Sequence, residues 1–186
     1  MREESWTGRR GAHLTLRAAQ ADDGMAVREL VACLSKESRY FRFLTGGPIA
    51  NDSMDGMVTP GPGGVALVVT APRDDGEGLA VVANGQYVVI DDHTAEFAVV
   101  VSDAWQGQGV GRRLIARLLQ LARAAGLKVM RGDVLSENRR MLAILRDCGF
   151  SCRRNPDDSF LHEATLALAG AVAPAGGMTA DWFGAR

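Results

Sequence analysis

Residues 96–127 read EFAVVVSDAWQGQGVGRRLIARLLQLARAAGL, and this stretch decides the fold. Its first part, Phe97 to Val101, is short, apolar and rich in β-branched residues, which predicts a buried strand. Its last part, Arg112 to Ala125, has apolar residues at helical spacing and arginines on the opposite face, which predicts an amphipathic helix. Gly126 follows at a position where glycine commonly ends a helix.

The loop between the strand and the helix has the sequence QGQGVG from Gln106 to Gly111. The first turn of a helix has backbone N–H groups without partners, and glycines leave those groups open to an anion. No acidic residue lies between Asp103 and Asp133, whereas several basic residues do: Arg112, Arg113, Arg117, Arg123, Lys128 and Arg131. The stretch therefore predicts a site for a ligand that carries several phosphates.

The spacing of the glycines excludes two common phosphate motifs. A P-loop requires a lysine after its last glycine, and here Arg112 follows Gly111. A dinucleotide fingerprint has G-x-G-x-x-G in the first strand–helix unit, whereas this loop lies past the middle of the chain.

The loop instead matches Q/R-x-x-G-x-G/A, the coenzyme A pyrophosphate motif of the GNAT family of N-acetyltransferases. Asn138 and the pair Gly149-Phe150 extend the match, and the chain resembles this family from about Leu14 to Leu168. Within the family it is most similar to the GNAT domains of bacterial protein lysine acetyltransferases, because of the segment Ser35 to Leu44. The resemblance implies an α/β (α+β) fold, with a mixed, mostly antiparallel sheet flanked by helices.

The pattern along the chain predicts the element order β-α-α-β-β-β-α-β-α-β in one domain, residues 13–168. Residues 1–12 are predicted to be a flexible N-terminus, and the alanine- and glycine-rich residues 169–186 a flexible C-terminal tail. Residues 46–64, rich in glycine, proline, asparagine and aspartate, predict a loop. Asn84-Gly85 predicts a bulge or a turn inside a long strand.

The bulk composition excludes several classes of function. A net charge of -1 gives no general attraction to nucleic acid or to a membrane surface. The cysteines and histidines have no metal-ligand spacing, so we expect no metal. The N-terminus has no signal peptide and no apolar run has transmembrane length, so we expect a cytoplasmic protein, either a monomer or a dimer.

The resemblance implies that acetyl-CoA is the cosubstrate and that an amine accepts the acetyl group. An alkylammonium group, with a pKa of about 10.4, must lose a proton before it can attack a thioester. In related lysine acetyltransferases a glutamate at the position of Glu96 is the general base, often through water. We expect Glu96 to be buried among Phe97, Val99 and their neighbours, which would strengthen it as a base. The alternative is an edge glutamate that pairs with a surface arginine.

The remaining site residues are predicted to hold acetyl-CoA. The strand residues Val99, Val100 and Val101 should lie along the pantetheine arm, with a bulge that frees an N–H group for the thioester oxygen. Asn138 matches the family asparagine near the leaving group, although it could also be only a helix cap. Many relatives have a tyrosine seven residues after this asparagine, where this chain has Leu145. The pyrophosphate should be held by Gln106, Gly107, Gln108, Gly109, Val110, Gly111 and Arg112.

Three functions remain open from the sequence. The first is acetylation of a protein lysine, with acyl-CoA synthetases among the candidate substrates. It rests on Ser35 to Leu44, on Glu96 and on the missing tyrosine. The second is acetylation of a small-molecule amine, and the third is a non-catalytic module that senses acyl-CoA for a partner. The fold alone does not choose between them.

Overall fold

The computed structural model describes residues 2–8, 11–73 and 76–168. Within these residues the strands form a single sheet in the order β1-β2-β3-β4-β5-β6-β8-β7. Every neighbouring pair in this sheet is antiparallel except β5 and β6, which are parallel. The strands are β1 Glu4–Thr7, β2 His13–Ala18, β3 Val65–Pro72, β4 Leu79–Val89, β5 Thr94–Val101, β6 Val129–Leu135, β7 Ser151–Arg154 and β8 Leu161–Ala167.

Helices cover both faces of the sheet. They are α1 Gly24–Ala32, α2 Lys36–Phe43, α3 Asn51–Asp55, α4 Val110–Ala124 and α5 Arg139–Asp147. One face packs against the apolar stripes of α4 and α5, with Leu114, Leu118 and Leu145 completely buried. The other face packs against α1, with Val27 and Val31 in a second core cluster that includes Val100 of β5. Burial of these apolar side chains is the main source of stability of the fold.

The predicted mixed sheet flanked by helices is confirmed, and the observed differences are local. β1 pairs with β2 along its whole length, so the predicted flexible N-terminus is wrong for residues 4–7. β7 was also missed, and the predicted loop 46–64 contains the short helix α3. The predicted C-terminal tail, residues 169–186, lies outside the described residues.

The bulge or turn predicted at Asn84-Gly85 is found as a bulge at Val82, two residues before Asn84. Val69 pairs with Ala83 and Thr70 with Val81, so Val82 is the extra residue of a bulge in β4. Gly85 has a different role, because a Cβ atom there would lie 3.2 Å from Leu114 Cδ2 of α4. The absence of a side chain at Gly85 therefore allows α4 to pack closely on the sheet.

The parallel strands β5 and β6 are paired over only three positions, from Thr94↔Val129 to Glu96↔Arg131. After Glu96 the two strands part, while β5 stays paired with β4 as far as Val101. The Phe97 ring lies across Gly132 of β6 and packs against Phe150, with 5.3 Å between the two ring centroids. The rings fill the space beneath the parted strands, which open into a cleft.

None of the helices within the described residues is both long enough and apolar enough to cross a lipid bilayer.

We expect Gly132→Ala to destabilise the protein. The new Cβ would lie 2.8 Å from Phe97 Cε1 and 3.1 Å from the Phe97 carbonyl oxygen, so the ring or strand β5 would have to move. Overpacking of this kind costs about 1–3 kcal/mol. The free energy of unfolding from urea titration measures this loss.

Gly61→Ala is the matched control, because nothing lies within 4 Å of a Cβ at that position. It should change the free energy of unfolding by less than about 0.5 kcal/mol. Equal stability of the two variants would show that the contact between Phe97 and Gly132 does not constrain the strands.

Candidate active site

The parted strands enclose a cleft of about 720 Å³. Its walls come from β5 after Glu96, the glycine loop, the first turns of α4 and α5, and one side of α2. All parts of the predicted strand–loop–helix unit therefore contribute to one cavity, together with residues 37–42, which lie far away in sequence.

The glycine-loop end of the cleft offers a row of free backbone donors. Among the described residues, no acceptor is found for any N–H group from Gly107 to Arg112, and the first helical bond runs from Arg113 N to Gly109 O at 3.1 Å. Gly107 and Gly109 have φ values of 74° and 83°, and a Cβ on either would meet nothing within 4 Å. This loop fits a pyrophosphate, because free amides at a helix start bind anions and the glycines leave the approach open.

The side chains of Gln106 and Gln108 form internal contacts. Gln106 Nε2 donates to Val101 O at 3.1 Å and to Ser38 Oγ at 3.0 Å, while its Oε1 accepts from Arg140 at 2.7 Å. Gln108 Nε2 donates to Ala104 O at 3.1 Å. These two residues therefore shape the loop with their side chains and offer a ligand their backbone N–H groups.

Arginine side chains supply positive charge at the same end of the cleft. Arg139 and Arg140, at the start of α5, line the cleft. Arg112 also lines it and forms an ion pair with Asp147 on the protein surface. The predicted pyrophosphate site thus has guanidinium groups from both α4 and α5.

The cleft side of β5 carries the backbone groups predicted to meet the pantetheine arm. Ser102 N bonds to Val82 O of β4, whereas His93 O accepts from Val129 N of β6. Because successive residues of a strand point their backbone groups to opposite sides, Val99 and Val101 face the cleft and Val100 faces β4. The predicted bulge is absent, since the β4–β5 register is continuous from Val89↔Ala95 to Ala83↔Val101. The parting of β5 from β6 frees these groups instead.

Asn138 lies at the cleft and also caps a helix. Its Oδ1 accepts from Met141 N at 3.0 Å, so the alternative of a helix cap describes one part of its role. Its Nδ2 has no acceptor among the described residues and remains available to a ligand in the cleft. Leu145 is completely buried in the core, and beyond the arginines at its start the α5 side chains that line the cleft are Met141 and Ile144. This part of α5 therefore offers no acidic side chain for a leaving group.

Glu96 lies at the vertex where β5 and β6 part. Its carboxylate forms an ion pair with Arg131 at 3.1 Å, and its side chain is 42% exposed. The burial expected for Glu96 is therefore not found. Its ion pair with Arg131 matches the alternative of a glutamate paired with a surface arginine, and Glu96 lies beside the residues that line the cleft rather than among them.

Asp133 is a carboxylate that the sequence reasoning missed. It lies on the same face as Glu96, since Glu96 pairs with Arg131 and Asp133 follows two residues later. It lines the cleft, and burial together with the negative charge of Glu96 raises the pKa of Asp133. A signal was present in the sequence, because Asp133 is the acidic residue that ends the basic stretch. Within the described ranges, no group of three or more histidine, cysteine or acidic side chains could hold a metal ion.

Asp103 fixes helix α2 at the cleft. Its carboxylate accepts from Ser35 N and Ser35 Oγ at 2.9 Å and from Ser38 Oγ at 2.6 Å. Although burial opposes the charged form, these hydrogen bonds lower the pKa of Asp103. The helix begins here and brings Glu37, Phe41 and Arg42 to the cleft wall. The predicted second helix, Ser35 to Leu44, is thus confirmed as an element and lies beside the site.

The fold and its cleft define a coenzyme A-dependent acyltransferase. The sequence profile of the Acetyltransferase (GNAT) family matches residues 40–150, and the chain belongs to this family. An acetyltransferase of Pseudomonas aeruginosa is 29% identical over 163 residues, which is 85% of this chain and 86% of that protein.

Solved structures share the fold. The GNAT domain of PAT from S. lividans superimposes with a TM-score of 0.75 at 22% identity, over 89% of this chain and 96% of that one. The putative acetyltransferase yncA from Salmonella typhimurium, solved with its cofactor acetyl-CoA, gives a TM-score of 0.65 at 22% identity, over 87% and 97% of the two chains. The predicted enzyme class and cosubstrate are confirmed: the chain transfers an acetyl group from acetyl-CoA to an amine.

We expect Gly109→Ala to weaken acetyl-CoA binding. Gly109 lines the cleft at the N-terminus of α4, so the added methyl group would occupy the approach to the free amides. The dissociation constant, measured by calorimetry, should rise by about tenfold or more, which corresponds to about 1.4 kcal/mol.

Gly126→Ala provides a control with the same backbone strain. Gly126 follows the other end of α4, has a φ of 79°, and a Cβ there would meet nothing within 4 Å. Both variants should lose similar stability, and Gly126→Ala should bind acetyl-CoA like the parent protein. Equal losses of affinity in the two variants would argue against binding at the loop.

Proposed function

We propose that the protein transfers the acetyl group by direct attack of a primary amine on acetyl-CoA, with Glu96 as general base. The observation that supports this most is the arrangement of one cleft. Free amides lie at its glycine-loop end, unpaired backbone groups of β5 lie along it, and Asp133 lines it near the point where the strands part, beside Glu96. The pyrophosphate, the pantetheine arm and the amine would occupy these three parts in turn.

The chemical steps place specific demands on these groups. The amine loses a proton to the base, and its lone pair then attacks the thioester carbonyl carbon. The negative charge that develops on the carbonyl oxygen needs a donor, and the Val99 N–H faces the cleft for this role. Collapse of the intermediate breaks the carbon–sulfur bond and releases the thiolate of coenzyme A. Water protonates that thiolate in our proposal, since Leu145 is buried and has no proton to give.

The half-exposed Glu96 suits a base that acts through water. Its carboxylate is solvated, and Arg131 holds it at the vertex. Asp133 adds a second negative charge on the same face and lines the cleft. In this proposal Glu96 accepts the proton and Asp133 attracts the cationic amine.

Two classes of acceptor are supported by different observations. Leu145 and the helix beside the cleft, Lys36–Phe43, support a protein lysine, with acyl-CoA synthetases among the candidates. The guanidinium of Arg42 supports a small amine, because this group in the cleft has no counter-ion among the described residues. The small amine is better supported, since the side chain of a lysine has no anionic group that could pair with Arg42.

The base is tested with Glu96→Gln. We expect its turnover number to fall by roughly two orders of magnitude or more, because general base catalysis is lost, while the affinity for acetyl-CoA stays the same. Release of the free thiol of coenzyme A measures the turnover, and calorimetry measures the affinity.

Asp133→Asn is the companion variant. It should mainly raise the KM for the amine, because it removes charge near the acceptor without removing the base. If Glu96→Gln kept full turnover and Asp133→Asn lost it, the base would be Asp133.

The acceptor class is tested with labelled acetyl-CoA and a cell extract. We expect the label in small molecules, because the cleft holds an unpaired cation that a small anionic amine would neutralise. Label in protein bands would instead support a lysine acceptor. Saturable binding of acetyl-CoA by the folded protein without any transfer would support the non-catalytic sensor.

A further inference from the structure

Arg42 is a partly buried arginine in the wall of the cleft. It lines the cleft, its Nε is fully buried, and it has no hydrogen bond or ion pair with any described residue. Its guanidinium contacts the Phe43 ring, with 4.8 Å between Cζ and the ring centroid. Burial lowers the pKa of Arg42 to about 10. By contrast, a carboxylate pairs with each of Arg17, Arg28, Arg73, Arg112, Arg113 and Arg131.

Arg42 lies on the acceptor face of the sheet. Its neighbour Phe43 packs against the core cluster that contains Val100, whereas the buried side of α4 belongs to the cluster on the opposite face. Glu96 lies four residues before Val100 in β5 and therefore points to the same face as α2. The glycine-loop end already has Arg112, Arg139 and Arg140, so the phosphates do not require Arg42.

A guanidinium that is partly withdrawn from water and has no counter-ion is costly unless a ligand supplies one. Its fork of donors matches a carboxylate in a bidentate pair. On the same face, Glu96 and Asp133 carry negative charge at the vertex of the strands. The acceptor end thus has the guanidinium of Arg42 on the α2 side, where Glu37 also lines the cleft, and carboxylates at the vertex. A guanidinium and carboxylates on different sides match the two ends of an amino acid zwitterion.

We propose that Arg42 binds the carboxylate of the acceptor and that the acceptor is a free α-amino acid, whose amino group lies toward Glu96 and Asp133. This inference rests on the proposed acetyl transfer and adds the chemical class of the substrate. In the reaction the amino group becomes an uncharged amide, coenzyme A leaves as the thiol, and the carboxylate stays paired with Arg42.

The first experiment compares acceptors that differ only at the carboxylate. A mixture of the common L-amino acids and a mixture of their α-amides are each incubated with the protein and acetyl-CoA, and acetylated products are identified by mass spectrometry. Loss of the carboxylate lowers the pKa of the amino group, so a larger fraction of the amides is free amine. The amides should therefore react faster if the enzyme does not bind the carboxylate. We expect the amino acids to react at least about tenfold faster than the amides, because Arg42 binds the carboxylate that the amides lack.

The second experiment uses Arg42→Met and the control Arg39→Met. Arg39 is an exposed residue of the same helix that does not line the cleft. For the best amino acid, Arg42→Met should lower kcat/KM by about 10- to 100-fold, mainly through KM, as loss of a charged hydrogen-bonding partner does. Its rate with the matching amide and its affinity for acetyl-CoA should not change, and Arg39→Met should behave as the parent protein in every assay.

A stability measurement separates binding from a structural role. Because Arg42→Met removes a buried charge without a counter-ion, its midpoint of urea unfolding should be unchanged or higher. A large fall in the midpoint would assign Arg42 to the structure and overturn the inference.

The remaining outcomes separate this inference from the proposed function. Equal or faster reaction of the amides, equal losses for acid and amide in Arg42→Met, or acetylation only of a lysine-containing peptide would overturn the carboxylate site and leave acetyl transfer intact. Absence of transfer to every amine, by a folded protein that binds acetyl-CoA, would overturn the proposed function and the inference with it.

Discussion

The contact between Phe97 and Gly132 is the constraint on which the rest of the structure depends. Along the sheet the antiparallel pairs continue over most of the length of their strands, but the parallel pair β5–β6 stops after three positions. A side chain at position 132 would lie within 2.8 Å of the Phe97 ring, so the ring can fill the gap between the strands because residue 132 is glycine. The Phe150 ring supports Phe97 from the side of α5. Because the strands part, backbone groups that would be hydrogen-bonded in a continuous sheet are left free to bond with a ligand.

The charges of the cleft follow from this geometry. Parting begins just after Glu96 and Arg131, so the residues that follow in β6, including Asp133, stay paired with β8 and border the cavity on the side where β5 would otherwise lie. The glycine loop then follows the far end of β5, where α4 begins and its free amides lie. Asp133 thus borders the cleft near the vertex, and the free backbone donors of the loop lie with arginines at the glycine-loop end. The separation favours one orientation of a ligand that has a diphosphate at one end and meets an amine at the other.

The sequence predicted the central unit well because that information is local. Periodicity identified β5 and α4, and the positive φ of Gly107 and Gly109 is the conformation that favours glycine. The two missed strands, β1 and β7, are four residues long and lie at the two edges of the sheet, where pairing with a longer neighbour defines them. Arg39 and Arg42 have the same side chain on the same short helix, three residues apart, yet Arg39 is exposed and Arg42 lines the cleft. The packing of the helix against the rest of the fold decides this difference, and no sequence pattern reports it.

The position of Arg42 depends on residues at the opposite end of the cleft. Asp103 binds the first turn of α2 through Ser35 and Ser38, and Gln106 joins Ser38 to Val101 and to Arg140 of α5. Helix α2, which carries Arg42, is therefore hydrogen-bonded to the glycine loop and its free amides. Because Arg140 both lines the cleft and donates to Gln106, any ligand that draws Arg140 toward itself acts on the same hydrogen-bond network that orients α2. The two halves of the cleft are therefore joined by one continuous set of hydrogen bonds. The residues of the glycine motif then have two functions: their amides serve the diphosphate, and the Gln106 side chain positions the helix that meets the amine.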